Sequence, residues 1–415
     1  MNNHITTIGA IAEIYDGPHA TPEKTESGPY FLSISSLEKG RLDLSKSAYL
    51  SETNFKNWTK RVTPKKGDLL FSYETRLGEA ALMPDAIRAC LGRRMGLLRP
   101  KANQVIPEYL LYAYLSPQFQ QTIISNTIRG ATVDRIALNE LPNYIIRIPD
   151  IDEQKKVAKL LSSIDTKIEF NNRINTELES IANTLYSYWF LQFNFPDAND
   201  KPYKKSGGKM VYNPILKREI PEGWQTQKIS NFASIGSGYP FDSTSFKEAG
   251  KYKVITIKNV QDGSLETDKT DCVDALPEGI KSFCQLEIGD VLMSLTGNVG
   301  RLCLVDQNHL LLNQRVGKLL CEREWKIFFY LYLSRPETKS WLEKISTGSS
   351  QKNLSPIDAV NKHFLMPPKK LLDEFNSVVS KNFELIIKNS IEKQQLKTLR
   401  DWLLPMLMNG QIKVI

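Results

Sequence analysis

Gly67-Asp68-Leu69-Leu70-Phe71-Ser72 returns 222 residues later (289 − 67) as Gly289-Asp290-Val291-Leu292-Met293-Ser294. A Gly-Asp step ahead of apolar residues reads as a turn feeding a strand. Working outward, Tyr112-Ala113-Tyr114-Leu115-Ser116 returns as Tyr330-Leu331-Tyr332-Leu333-Ser334, and Gly130 as Gly348. Ile148-Pro149 returns as Met366-Pro367, and Ile168 with Asn171 as Ile386 with Asn389. These later matches share one offset: 330 − 112, 348 − 130, 366 − 148 and 386 − 168 all give 218. Upstream, Ile8, Ile11, Ile14 and Gly17 correspond to Ile229, Phe232, Ile235 and Gly238 (229 − 8 = 221). Phe31-Leu32-Ser33-Ile34 corresponds to Val254-Ile255-Thr256-Ile257. A nearly constant offset across unlike segments indicates a tandem duplication, and its drift places small insertions inside the repeats.

Each repeat opens with strand signals and continues through segments near 106–124 and 324–345, whose Leu, Tyr and Phe have helical spacing. That predicts a mixed α/β globule. A long helix follows each. The first starts after Pro149, with Asp150 as cap and Glu153 three residues on, as in a capping box. Val157, Leu161, Ile164, Ile168, Asn171, Asn175, Leu178, Ala182, Leu185 and Trp189 then alternate steps of four and three, the seam of a coiled coil. The second helix carries Phe375, Val379, Asn382, Ile386, Asn389, Lys393, Leu396, Arg400 and Leu403 at equivalent places. Pro405 disfavours further helix, and Asn409-Gly410 reads as a stop. Two matching seams on one chain are expected to pack on each other, antiparallel. Polar Asn171, Asn175, Asn382 and Asn389 either fix the register of that packing or mark a loose, exposed stretch.

The expected organisation is a globule over 1–149, a helix over 150–192, a central linker over 193–224, a second globule over 225–367, and a helix with tail over 368–415. Polar composition with Pro and Gly makes 193–224 read as linker rather than core. Its basic run, Pro202-Tyr203-Lys204-Lys205-Ser206-Gly207-Gly208-Lys209, reads as solvated, with phosphate contact the less common alternative.

The chain's 415 residues are enough for several cores, and 41% hydrophobic with 24% charged residues is ordinary for a globular protein. A net charge of +8 favours polyanionic partners. The start, Met1-Asn2-Asn3-His4, shows no secretory signal, and no apolar run approaches the ~20 residues of a membrane span, so a cytoplasmic protein is expected. Cys90, Cys272, Cys284, Cys303 and Cys321 lack C-x-x-C spacing and read as reduced structural thiols. Catalytic signals are missing. Four histidines, His4, His19, His309 and His363, form no metal motif, and there is no Walker loop. Gly236-Ser237-Gly238 lacks the third glycine of a dinucleotide fingerprint, and Asn213-Pro214-Ile215 lacks the second proline and the aromatic of an amino-methyltransferase N-P-P-aromatic motif. The pattern argues for recognition.

The recognition candidates are arginines and amides in glycine-containing loops. Arg76-Leu77-Gly78 matches Val299-Gly300-Arg301 around the shared glycine, and Arg93-Arg94-Met95-Gly96 matches Gln314-Arg315-Val316-Gly317. Arg129-Gly130-Ala131-Thr132 through Arg135 matches Thr347-Gly348-Ser349-Ser350-Gln351-Lys352-Asn353. Arg and Lys can bond guanine edges or phosphates, while Asn and Gln can bond adenine. The plainer role for any one of them is a surface charge or a phosphate contact.

The ordered set of these pieces resembles the specificity (S) subunit of type I restriction-modification systems. It comprises Gly289-Asp290-Val291-Leu292, Gly348 to Leu354, and Asp152-Glu153-Gln154 through Leu160-Leu161 and Asp165. It continues with Tyr188-Trp189-Phe190, Pro202 to Val211, Ile220-Pro221-Glu222-Gly223-Trp224, and the ending Leu403-Leu404-Pro405-Met406-Leu407-Met408-Asn409-Gly410. One departure is Leu372-Asp373-Glu374-Phe375 where the first repeat has Asp152-Glu153-Gln154. The resemblance implies an α+β fold, with two tandem α/β target recognition domains joined by two long antiparallel helices in a pseudo-two-fold internal repeat. It implies a non-catalytic subunit that recognises a bipartite, asymmetric site in double-stranded DNA. It also implies two adenine methyltransferase partners, with motor-nuclease subunits as a further set. S-adenosylmethionine, with ATP and Mg where a motor joins, would sit in those partners and no cofactor in this chain. The competing class is a coiled-coil protein adaptor without DNA specificity.

Overall fold

A computed structural model describes residues 5–130 and 133–414. The expectations for Met1–His4 and for the Ala131-Thr132 step of the third loop match lie outside the described residues. The chain divides into two units, Met1–Ile168 with Gln395–Ile415, and Glu169–Gln394. Each long helix is therefore shared, one half going to each unit.

The duplicated Gly-Asp strand sits in the middle of a four-stranded antiparallel sheet in each unit. In the first unit the order is Ala12–Asp16, Met95–Pro100, Leu69–Ser72, Ala80–Leu82. In the second it is Ala233–Ser237, Val316–Cys321, Val291–Ser294, Leu302–Leu304. The glycine is needed for the turn: φ is +83° at Gly67 and +87° at Gly289, a region costly for other residues. The aspartate closes it. Asp68 accepts from the Lys65 amide and Asp290 from the Glu287 amide, both at 2.7 Å. Each carboxylate is buried and neutralised from the adjacent strand, by Arg99 at 2.7 Å and Lys318 at 2.6 Å. A second sheet, of three strands in the first unit and four in the second, carries a parallel pair in both: Thr25–Phe31 beside Ala89–Cys90, and Tyr252–Ile255 beside Leu310–Leu312. Two short helices, each opening on proline or charge, cover the main sheet: Pro107–Leu115 and Pro117–Ser125, then Arg323–Ser334 and Pro336–Ile345.

The first long helix runs Ile151–Tyr186, capped by Asp150, whose Oδ1 accepts from the Glu153 amide at 2.9 Å. A π-helical turn, Ser187–Leu191, extends it. The second runs Lys369–Met408. Of the seam residues, Leu161, Ile164, Ile168, Val379 and Ile386 are buried, while Leu178, Leu185, Leu396 and Leu403 are half-buried. Within the second unit the helices pair antiparallel. Asn171 meets Asn389 and Glu392, Asn175 meets Ile386 and Ser390, and Tyr186 meets Phe375. Within the first unit Val157 and Leu161 share a core with Leu407 and Met408.

The asparagines settle the open question of the seam. Asn171 is 1% exposed. Its Nδ2 donates to the Asn389 carbonyl and to Glu392 Oε2, and Asn389 Nδ2 donates to Asn175 Oδ1 at 2.9 Å. Asn171 and Asn389 are buried and Asn175 half-buried, and all three bond across the helix pair, so this is not a frayed stretch. Asn382 is the exception: it is half-buried, and its neighbour Phe383 takes the buried place, packing on Tyr330 at 5.4 Å.

Two expectations are corrected. Helix continues through Pro405 to Met408. Losing one backbone donor in a final turn is offset by burying Leu407 and Met408, and Gly410 (φ +70°) provides the stop. The segment 193–224 is not a free linker. Phe193, Phe195, Ile220 and Trp224 are buried in the second unit's core, with Phe195 stacked between Tyr203 at 4.7 Å and Trp224 at 5.1 Å. Met210–Asn213 and Arg218–Pro221 form a hairpin, and Lys209 pairs with Glu222 at 2.6 Å. A composition reading weighs the polar majority; four widely spaced aromatic rings outweigh it in free energy.

Candidate nucleic-acid interface

In each unit the strand after the Gly-Asp turn runs straight into a loop, and two further loops dock on that loop. The docking bonds are the same in both. In the first unit the Tyr73 amide donates to the Arg94 carbonyl at 3.2 Å, and the Ile136 amide to the Tyr73 carbonyl at 2.9 Å. In the second the Leu295 amide donates to the Arg315 carbonyl at 3.0 Å, and the Leu354 amide to the Leu295 carbonyl at 2.8 Å. Backbone bonds are indifferent to side chain, so this scaffold can carry different chemistry in each unit.

The side chains do differ. In the first unit Glu74 is 9% exposed and forms an ion pair with Arg94, while a backbone bridge lays Arg135 beside it. Arg94 has φ +72°, so the loop is held in a conformation few non-glycine residues adopt. Arg93 and Arg129 are exposed on the same loops. Burial pushes the neighbouring Tyr73 phenol above its ordinary range; Asp16 adds to this, while Arg94 and Arg93 oppose it. In the second unit the place of Glu74 is taken by Thr296 (296 − 74 = 222), whose hydroxyl meets Asn353 Oδ1 at 3.1 Å. Asn353 is exposed, stands where Arg135 stands in the first repeat (353 − 135 = 218), and lies beside Gln351 and Lys352. Lys352 Nζ donates to the Glu343 carbonyl at 2.9 Å, and Arg315 is exposed.

Not every candidate joins these clusters. Arg76 turns inward to the Ile34 and Ser35 carbonyls and to Glu79, all at 3.3–3.4 Å. Arg301 is half-buried and donates to Gln261 Oε1 at 2.6 Å. Both brace loops. Glu74 and Thr296 are the residues that sequence reasoning passed over. The signal was present, since both stand two residues past the duplicated strand at its own offset of 222, but an acidic residue does not announce itself as part of a basic surface.

Chemically, the clusters offer guanidinium and amide groups and no reacting centre. Among the described residues no group of His, Cys, Asp or Glu is placed to hold a metal ion. Cys90, Cys272, Cys284 and Cys303 are buried free thiols, and burial pushes Cys90 up to about 12.

A family model, the type I restriction modification DNA specificity domain, matches residues 6–180 and again 221–369. The chain belongs to this family. It is a non-catalytic DNA-recognition subunit of a restriction-modification enzyme. Similar specificity-family proteins include the type I restriction enzyme MjaIX specificity subunit of Methanocaldococcus jannaschii, 27% identical, covering 88% of this chain and 82% of that one. The HindI specificity subunit of Haemophilus influenzae is 24% identical, covering 84% of this chain and 87% of its own. The crystal structure of an S subunit from M. genitalium has the same fold, with a TM-score of 0.57 at 16% identity, covering 98% of this chain and 97% of that one. The doubled match to the specificity model falls on the two copies of the loop scaffold. The protein-adaptor alternative is not favoured. Among the described residues no helix is long and apolar enough to cross a membrane.

Proposed function

We propose that this specificity subunit reads an asymmetric, two-part site in double-stranded DNA, one part with each unit's loop cluster. The observation that carries this is the repeated scaffold with unlike side chains: Glu74, Arg94 and Arg135 in one copy, Thr296, Arg315 and Asn353 in the other. Identical clusters would read a symmetric site; unlike ones read two different sequences. The paired helices would act as the spacer between the two parts. The subunit would direct two adenine methyltransferase subunits to the site, and motor-nuclease subunits where the system restricts. S-adenosylmethionine, and ATP with Mg for the motor, would be held by those partners in the cytoplasm.

Salt titration of duplex binding by the full chain tests it. Contact with several phosphates makes log affinity fall linearly with log salt, with a slope of about −0.9 per phosphate neutralised. A sequence preference that persists while affinity falls steeply is the expected result. Binding to duplex that is insensitive to salt, or indifferent to sequence at every salt, defeats the proposal.

A further inference from the structure

The second position past the duplicated strand carries different chemistry in the two units, and the change at that position is matched by a change beside it. In the first unit a carboxylate, Glu74, is ion-paired to the Arg94 guanidinium, and its backbone bridges to that of Arg135. In the second a hydroxyl, Thr296, bonds the side-chain amide of its bridge partner Asn353, and the preceding Leu295 amide bonds the Arg315 carbonyl. What changes is the hydrogen-bonding pattern, and that is what distinguishes base edges.

A bare arginine on a loop samples many rotamers. Ion-paired to a carboxylate that is itself almost wholly buried, the Arg94 guanidinium is held in one orientation, and the charge-assisted bond is directional. Asn353 is held in a comparable way, by Thr296 on its Oδ1 and by its own Nδ2 donating to the Gln351 carbonyl at 3.3 Å, which leaves a second lone pair on that oxygen and one proton on Nδ2. A guanidinium fork suits guanine O6 and N7, whereas an amide suits adenine N6 and N7.

We propose that residues 74 and 296 are positioning residues for base reading: Glu74 aims Arg94 at a guanine in one half-site, and Thr296 aims Asn353 at an adenine in the other. This rests on the DNA-reading function above. Glu74 need not touch DNA itself.

The test is selection from a randomised duplex pool by the full chain, followed by sequencing, for wild type and three variants whose thermal midpoints are checked alongside. Wild type should return two separate sequence blocks, one with a fixed guanine and the other with a fixed adenine. Glu74→Gln should flatten the guanine preference by about 5- to 150-fold, the span of one base-edge pair, and leave the other block intact. Its salt slope should not move, because no phosphate contact is lost. Thr296→Val should do the reciprocal, flattening only the adenine step. Glu74→Thr combined with Arg135→Asn installs the second unit's pattern in the first and should shift the guanine preference toward adenine. Variants that keep both blocks unchanged overturn the positioning role, as do variants that lose both blocks equally. A wild type that returns no block at any salt overturns the DNA-reading function together with it, a failure visible before any variant is compared.

Discussion

The two halves of the helix pair solve the same packing problem by opposite means. In the first unit, Asp165 on one helix pairs with Arg400 on the other at 2.8 Å, and Tyr112 Oη donates to the same carboxylate at 2.7 Å. The repeat mates of Asp165 and Arg400 are Phe383 and Ala182 (383 − 165 and 400 − 182 both give 218). There the second unit is apolar, with both residues buried and Phe383 edge-on to Tyr330 at 5.4 Å, and further along the helix it is aromatic. Phe375 packs edge-on to Phe190 at 4.8 Å and against Trp189 at 5.8 Å, and Tyr330, the mate of Tyr112, turns to Glu179 at 3.3 Å. A seam tolerates either solution so long as its geometry is kept, because burial is non-directional, while an ion pair needs a matched partner. Duplication supplied one backbone plan, and the two copies filled it differently.

The comparison is broken most severely by emptying the aromatic side. Phe375 is 0% exposed, so Phe375→Ala should cost the second unit about 3–5 kcal/mol, while the first unit keeps its own transition. Urea unfolding followed by Trp fluorescence would show the two transitions separate; a uniform loss would mean the helix pair unfolds as one block. On the ionic side, Arg400→Met leaves Asp165 with Tyr112 and without its cation. About 1–3 kcal/mol should be lost, the cost of stripping a partner from a partly buried charge. If Arg400→Met unfolds with the wild-type midpoint, the ion pair is ornamental.

The smallest effect is a pH dependence specific to the second unit. Burial raises the Glu179 carboxyl above its ordinary range, with the Tyr330 hydroxyl opposing. A folded-state value above the unfolded one means stability is fully present below the unfolded pKa and is lost as pH rises through the folded one. Asp306, also raised by burial, acts in the same direction. Glu179→Gln keeps an acceptor for Tyr330 and removes the charge. Its thermal midpoint should exceed wild type by about 2–4 °C near neutral pH, a gap that closes below the ordinary glutamate range of about 4.3. Parallel curves for variant and wild type across that window would show that Glu179 is solvated.

The duplication, the Gly-Asp turns, both long helices and the seam were legible in the amino-acid order, because each is a local or periodic pattern. A left-handed turn demands glycine, and a helix-helix stripe recurs every three or four residues whatever lies beyond it. The absence of catalytic motifs was equally plain. Other features depend on residues far apart in the chain meeting. Phe193, Phe195, Tyr203 and Trp224 became core only when the fold stacked them. Arg76 and Arg301 stood among the DNA-contact candidates, and only the fold showed their hydrogen bonds to the Ile34 and Ser35 carbonyls and to Gln261. Glu74 looked like an unremarkable acid until three loops closed around it and set it against Arg94. Periodicity is a property of neighbours along the chain and survives in one dimension. Which side chain satisfies which buried polar group is decided by long-range packing, and for that the tertiary structure was required.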